Sequence, residues 1–292
     1  MTADRLINLL AVVALAELML TLGVGTSVGQ LLAVARDLGA VGRAMLANYV
    51  LVPAAAVALV LLVQPHPMVA CGAVIVAVCP GAPYAPPFAA LAKGRAEQAV
   101  GLMVILAGSS AILAPLLLKG LLPFVTPSGS GRVDGLKVVT TLALTQFLPL
   151  CAGLGVATYR PALAGLLKRP MARLGTVLNV GLIGLILVAQ FRMLAAIRVT
   201  GYAAMLTLLV ASALAGWLLA RNDPAERRTL AVSSAVRNVG VGLVIAGGSF
   251  PGTPAVTFVT AYALIQTVAV ALAVTAVGRS TAAPQAPALG GL

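Results

Sequence analysis

Arg237 and Glu17 are the residues whose chemistry needs explaining first, because each is an ionisable group inside an otherwise apolar stretch. Arg237 heads the run Arg237-Asn238-Val239-Gly240-Val241-Gly242, and Glu17 stands in Ala16-Glu17-Leu18-Met19. A guanidinium stays charged when buried, and its planar fork holds a carboxylate or sulfonate through two hydrogen bonds. Charges at membrane depth are costly and mark substrate or ion pathways by default. Two uses of the pair stand side by side. Glu17 neutralises Arg237 in an internal ion pair, or Arg237 works on an organic anion or its coupling ion. If the two pair, protonating Glu17 frees Arg237 for an anion, which is a route to proton coupling.

Other chemistry has little to build on. No HExxH run and no paired Asp occurs within the apolar stretches, and the single His66 lies between Pro65 and Pro67 in a short polar break, where it reads as solvated. The sequence is therefore not expected to be an enzyme and needs no cofactor or metal. Cys71, Cys79 and Cys151 fall in apolar stretches without a CxxC pair and are expected to pack as small hydrophobes. The net charge of +12 comes with no basic stripe interleaved with aromatics, so nucleic acid is not an expected partner.

The elements that position Arg237 and Glu17 are transmembrane helices. A mean hydropathy of +1.07, with 61% hydrophobic and 9% charged residues, excludes an ordinary soluble domain. A crossing needs about 20 apolar residues. Nine are expected, at 5–25, 42–63, 68–93, 97–118, 134–158, 174–195, 199–220, 226–249 and 254–278. The chain thus reads as an all-α polytopic membrane protein. Basic residues are richer on the segments carrying Arg36, Arg43, Lys93, Arg95, Arg160, Lys168, Arg169, Arg173, Arg221, Arg227, Arg228 and Arg279. The positive-inside rule makes that side cytoplasmic, with the N-terminus outside and the C-terminus inside the cytoplasmic membrane.

Two crossings are broken at matching places. The first carries Cys79-Pro80-Gly81-Ala82-Pro83-Tyr84-Ala85-Pro86-Pro87, and the second carries the Arg237 run. Interrupted crossings in equivalent positions of two halves point to a transporter's substrate site. Residues 5–118 and 174–278 give the same series of elements, separated by the extra crossing 134–158. An odd number of crossings between them makes an inverted repeat. Residues 30–42 and 160–173 read as short interfacial helices, 121–135 as an exposed connector, and 280–292 as a disordered tail. Polar residues available to line a cavity are Asn48, Thr145, Gln146, Asn179, Gln190, Ser233, Ser234, Asn238, Tyr262 and Gln266.

Cys79-Pro80-Gly81 followed by Leu91-Ala92-Lys93-Gly94, a long helix ending Ala114-Pro115-Leu116-Leu117, Arg228-Thr229-Leu230 leading into Arg237-Asn238-Val239-Gly240, and Ser249-Phe250-Pro251 form an ordered set. With Leu18-Met19-Leu20-Thr21-Leu22-Gly23, they resemble the bile acid:sodium symporter family over about residues 15–278. The resemblance implies a panel domain and a core domain, with two discontinuous helices crossing near the membrane centre. It also implies an organic-anion cargo moved by alternating access. On this reading Arg237, Asn238, Gln266, Pro83, Tyr84 and Ala85 face substrate, and Glu17, Asn48, Ser233 and Ser234 serve ion coupling or charge balance.

The sequence departs from the family where sodium would bind. The Ser-Asn pair after Cys-Pro-Gly is replaced by Ala85 and Pro86, the Glu of the second break by Ser233, and the following Gln by Arg237. Asn48 retains an amide where the family has a Gln. Sodium requires an oxygen cage, with carboxylate charge offsetting dehydration. A cation ~4 Å from a guanidinium is repelled by about 4 kcal/mol at an effective dielectric of 20. Loss of the sodium sites is the expectation, with Arg237 taking over their electrostatic task. The alternatives are an arsenite-type efflux carrier using Cys79 at the first break, and a membrane binding protein that does not transport.

Overall fold

The computed structural model describes residues 3–126 and 134–280, which are helical apart from short connections. The helices, in chain order, are α1 (Ala3–Gly25), α2 (Val28–Arg36), α3 (Leu38–Leu46), α4 (Val52–Val63), α5 (Pro67–Ala77), α6 (Ala85–Leu91) and α7 (Ala96–Val125). They are followed by α8 (Gly135–Leu142), α9 (Leu148–Tyr159), α10 (Pro161–Ala195), α11 (Val199–Leu219), α12 (Pro224–Ala235), α13 (Val239–Ser249) and α14 (Pro254–Ser280). Among the described residues, eight helical stretches are long and apolar enough to cross a bilayer, three of them, α3–α4, α8–α9 and α12–α13, taken as single spans. The remaining expected crossing is the pair α5 and α6, too short individually to span.

Local chemistry sets the boundaries. Asp37, Asp134 and Asp223 accept backbone N–H groups at the starts of α3, α8 and α12, and Ser27 forms a capping box with Gln30 at α2. Proline occupies the first turn of α5, α6, α10 and α12, where its missing N–H is not needed.

Two spans contain a π-turn, Ala47–Leu51 between α3 and α4 and Ala143–Phe147 between α8 and α9. The two are built alike. Val52 donates its N–H five residues back to Ala47, Leu148 does the same to Ala143, and each is followed by a proline, Pro53 or Pro149. A proline removes one donor from the ladder, and the wider turn redistributes the carbonyls left over.

Three sequence-based boundaries are corrected. Residues 160–173 do not form a separate interfacial helix, because α10 runs unbroken through Pro170; one lost hydrogen bond does not end a helix 35 residues long. Residues 30–42 divide at Asp37, which closes α2 and caps α3. The helix expected to end at 118 continues through Pro123 to Val125, so the connector starts later than 121. Residues 127–133 of that connector and 281–292 of the tail lie outside the described residues.

The series α1, α3–α4, α5–α6, α7 recurs as α10, α11, α12–α13, α14, with the α8–α9 span between. α1 packs on α9 and α10, while α4, α5, α11 and α14 pack on one another. Gly23 and Gly153 allow α1 and α9 to touch backbone to backbone, the small-residue contact used between membrane helices. α5 meets α13 and α6 meets α12, so the two broken spans cross at their breaks. Leu62, Val177, Val188, Phe191 and Leu218 point outward, as lipid-facing side chains do. Cys71 and Cys79 are buried as expected, but Cys151 lies on the outward face of α9.

Candidate functional site

The two breaks hold each other. Asn238 follows α12, donates its backbone N–H to Cys79 O at 2.8 Å and its side-chain Nδ2 to Gly81 O at 3.3 Å. Its Oδ1 accepts the N–H of Val241 at 3.2 Å and so caps α13. Gly81 has φ +79°, and a Cβ there would lie 2.7 Å from Cα of Ala107 in α7. Only glycine fits both the left-handed backbone and the close approach of α7.

Arg237 fills the crossing point. It is 1% exposed. Nη1 donates to Asn48 Oδ1 at 2.6 Å and to Ser234 O at 3.2 Å, Nε donates to Val76 O at 3.3 Å, and Nη2 donates to Ala77 O. Val76 and Ala77 form the last turn of α5, and Ser234 lies in the last turn of α12. The guanidinium therefore sits at the carboxyl ends of two half-helices, where backbone dipoles concentrate negative charge and carbonyls lack helical partners. Together Arg237 and Asn238 satisfy the carbonyls of Val76, Ala77, Cys79 and Gly81. That supply of donors is what permits non-helical backbone at membrane depth.

Gln266 of α14 completes the break from behind. Its Oε1 accepts the Arg237 N–H at 2.7 Å, and its Nε2 donates to Arg237 O at 3.1 Å. Asn48, in the first π-turn, donates Nδ2 to Ala44 O at 2.9 Å and to Ser234 Oγ at 3.1 Å. Ser233 is buried, with its hydroxyl unpartnered. Gln146, in the second π-turn, donates to Ala107 O and, at 2.8 Å, to Ser110 Oγ.

The residues expected at one site thus fall into two groups. Arg237, Asn238, Gln266, Asn48 and Ser234 are joined by hydrogen bonds in the sealed crossover. Glu17, Pro83 and Tyr84 line a separate cavity of about 200 Å³ with Thr21, Gly175 and Thr176. Ala85 belongs to neither group and is buried at the start of α6. Glu17 does not pair with Arg237: its Oε1 accepts from Thr21 Oγ1 at 2.6 Å, and none of the ion pairs among the described residues includes it.

Other polar candidates have local duties. Thr145 and Asn179 bond to carbonyls one turn back in their own helices. Gln190 is buried beside Asn8 and Gly247. Cys79 is fully buried in the first break. A larger cavity of about 670 Å³ lies between α4, α5, α11 and α14, with His66 and Arg198 among its lining residues; none of the expected site residues lines it. Among the described residues no cluster of three His, Cys, Asp or Glu forms a metal site.

Sequence reasoning found the buried amides but not the π-turns that hold two of them, Asn48 and Gln146. The signal was present as Asn48 followed by Val52-Pro53, and Gln146 followed by Leu148-Pro149. It also missed Gly175, which is contacted by Glu17.

No curated protein matches the chain. The model of the sodium bile acid symporter family matches residues 12–199, from within α1 to the end of α10, including the first break and the Asn48 turn but stopping short of Arg237. With that match over more than half of its length, on a helical, multi-pass membrane architecture, the chain belongs to the sodium bile acid symporter family and is a membrane transporter of that family.

Proposed function

We propose that this protein is a secondary transporter of organic anions in which Arg237 stands permanently where the family's coupling sodium would bind. The observation that carries the reading is the Arg237 guanidinium, bonded to Asn48 Oδ1 and to carbonyls closing α5 and α12. A sodium ion at a half-helix carboxyl end takes its ligands from unwound carbonyls and side-chain oxygens. Here the same kinds of oxygen already surround a fixed cation. Ser233, where the family carries Glu, adds no charge to recruit another.

In this reading α1, α8–α9 and α10 form a panel, and the remaining spans form a core that rocks against it. Substrate passes through the seam between them, where Glu17, Pro83 and Tyr84 line a cavity. Arg237 acts on the anion by its field and by holding the crossover rigid. The amino end of α13, capped by Asn238, adds partial positive charge near the same point. The basic ends of the helices lie in the cytoplasm and the N-terminus outside, in the cytoplasmic membrane.

The test is thermal stability of the purified protein with taurocholate and with small carboxylates, each in sodium and in choline buffer. A ligand bound by the folded state raises the melting temperature by mass action. Stabilisation by an anion to the same extent in both buffers is expected. Stabilisation that requires sodium would sink the proposed role of Arg237.

A further inference from the structure

The acids of this protein are few, and all but one of those with described side chains stand at helix starts. Asp37, Asp134 and Asp223 are N-caps, Glu97 and Glu226 lie in first turns, and Asp37, Asp223 and Glu226 pair with Arg221, Arg95 and Arg43. Glu17 is the exception. It lies eight residues before the end of α1, about 12 Å along the helix axis.

Its surroundings are specific. Thr21 occupies Oε1, while Oε2 is shut off from solvent without a partner. Oε2 rests against α10 at Gly175, where any Cβ would collide with it. The opposite wall of the cavity is Pro83 and Tyr84, the middle of the first break. The carboxylate thus faces the broken helix across the seam between α1–α10 and the crossing helices.

We infer that Glu17 is the coupling site of this transporter and that its ligand is a proton, bound and released as the cavity opens to alternate sides. The inference rests on the proposed carrier function. With Arg237 fixed in the crossover, a coupling cation needs another group, and a carboxylate is the intramembrane side chain that carries protons in pumps and transporters. Deprotonated, Oε2 repels an anion at the cavity; protonated, it becomes a donor toward one. An anion therefore enters this cavity together with a proton.

The titratable and charged groups on the packed elements do not neutralise Glu17. α10 contributes Lys168, Arg169, Arg173 and, in its last turn, Arg192; α9 contributes Cys151 and Tyr159, the break contributes Tyr84, and α13 and the second π-turn contribute none. Lys168 lies alongside Gly25, two turns from Glu17 along α1. None of these basic residues forms an ion pair with Glu17.

The test has two arms on the full-length protein. In the first, infrared difference spectra between acid and alkaline buffer are recorded without substrate. Wild type is expected to show, beyond the bands of the other acids, a protonated-carboxyl band that disappears on alkalinisation and is missing from Glu17→Gln. If Glu17→Gln does not fold, Gly175→Ala must displace the pH at which the band disappears, because its methyl group occupies the carboxylate's seat. In the second, proteoliposomes clamped at zero potential are given labelled taurocholate and an inward pH gradient. One-to-one proton coupling accumulates it about tenfold per pH unit, whereas Glu17→Gln is expected to equilibrate without accumulation. A carboxyl spectrum that is the same in Glu17→Gln as in wild type, or pH-driven accumulation by that variant, overturns the inference. Failure of wild type to take up taurocholate counts against the carrier reading for that substrate class, while the infrared arm still decides whether Glu17 binds the proton.

Discussion

Arg237 donates through Nη1 to Oδ1 of Asn48 at 2.6 Å, across 189 residues of sequence, and the acceptor sits in a π-turn. A π-turn widens the helix by one residue and re-aims the side chains that follow. It leaves Asn48 with its amide nitrogen on Ala44 and Ser234 and its oxygen on the guanidinium. The amide therefore links the α3–α4 span, the carboxyl end of α12 and the crossover cation.

This arrangement predicts a gain of function. Replacing Arg237 by Gln and Ser233 by Glu together restores the residue types that the family resemblance associates with sodium. The double variant leaves the carbonyls of Val76, Ala77 and Ser234 without their cation and adds a buried carboxylate. Sodium is then expected to raise its melting temperature above that in choline, whereas wild type shows no difference. Equal melting in both buffers would mean that the crossover oxygens do not form an ion cage.

Asn48 also permits a test of neutral against charged partners. Asn48→Leu leaves one Arg237 N–H without an acceptor in a dry site and is expected to cost about 2 kcal/mol or more. Asn48→Asp keeps the acceptor and places an opposite charge beside the guanidinium, so it is expected to fold at least as well as Asn48→Leu. Thermal denaturation in one detergent, with both variants measured side by side, ranks them. If the leucine variant is the more stable of the two, the bond at the π-turn is not what holds the crossover.

Arg237 and both breaks were legible in the sequence because charge, Cys-Pro-Gly and glycine pairs stand out against apolar runs. What sequence could not supply was rotation. Glu17 and Arg237 are both deep, but hydropathy gives depth without azimuth, so pairing them was open until α1 was seen to turn Glu17 toward α10. The continuity of α10 was hidden for a different reason. Pro170 within Lys168-Arg169-Pro170 reads as punctuation in water, yet in a long membrane helix it removes only one hydrogen bond. The inward aim of Asn48 and Gln146 depends on π-turns that a 3.6-residue period does not anticipate.

Gly81→Ala isolates the geometry of the first break. The alanine must adopt φ +79°, which costs about 1–2 kcal/mol for an L-residue, and its methyl group meets the backbone of Ala107. Because Gly81 O is held by Asn238, the shift is transmitted to the second break. A fall in melting temperature together with loss of anion-induced stabilisation is expected. An alanine variant with unchanged melting and unchanged ligand response would show that the breaks are not mechanically joined.

The last prediction concerns the ends of the crossing helices rather than their centre. Glu226 in the first turn of α12 is 2% exposed and accepts from Arg43 at 2.6 Å, while Arg43 is 21% exposed. Neighbouring pairs Arg95–Asp223 at 3.2 Å and Arg221–Asp37 at 3.7 Å tie the same ends of α2–α3, α7 and α11–α12 together, but they are more exposed and contribute less. Removing only the cation strands a buried carboxylate, so Arg43→Met is expected to cost about 3 kcal/mol, the low end for a buried pair because Arg43 keeps some water. Arg43→Met combined with Glu226→Leu removes both charges and is expected to recover most of that loss, giving a coupling energy of about 1–3 kcal/mol in a double-mutant cycle. Additive losses in the two single variants would instead mean that Glu226 is held by its backbone surroundings and that the pair contributes little to fastening α12 against α3.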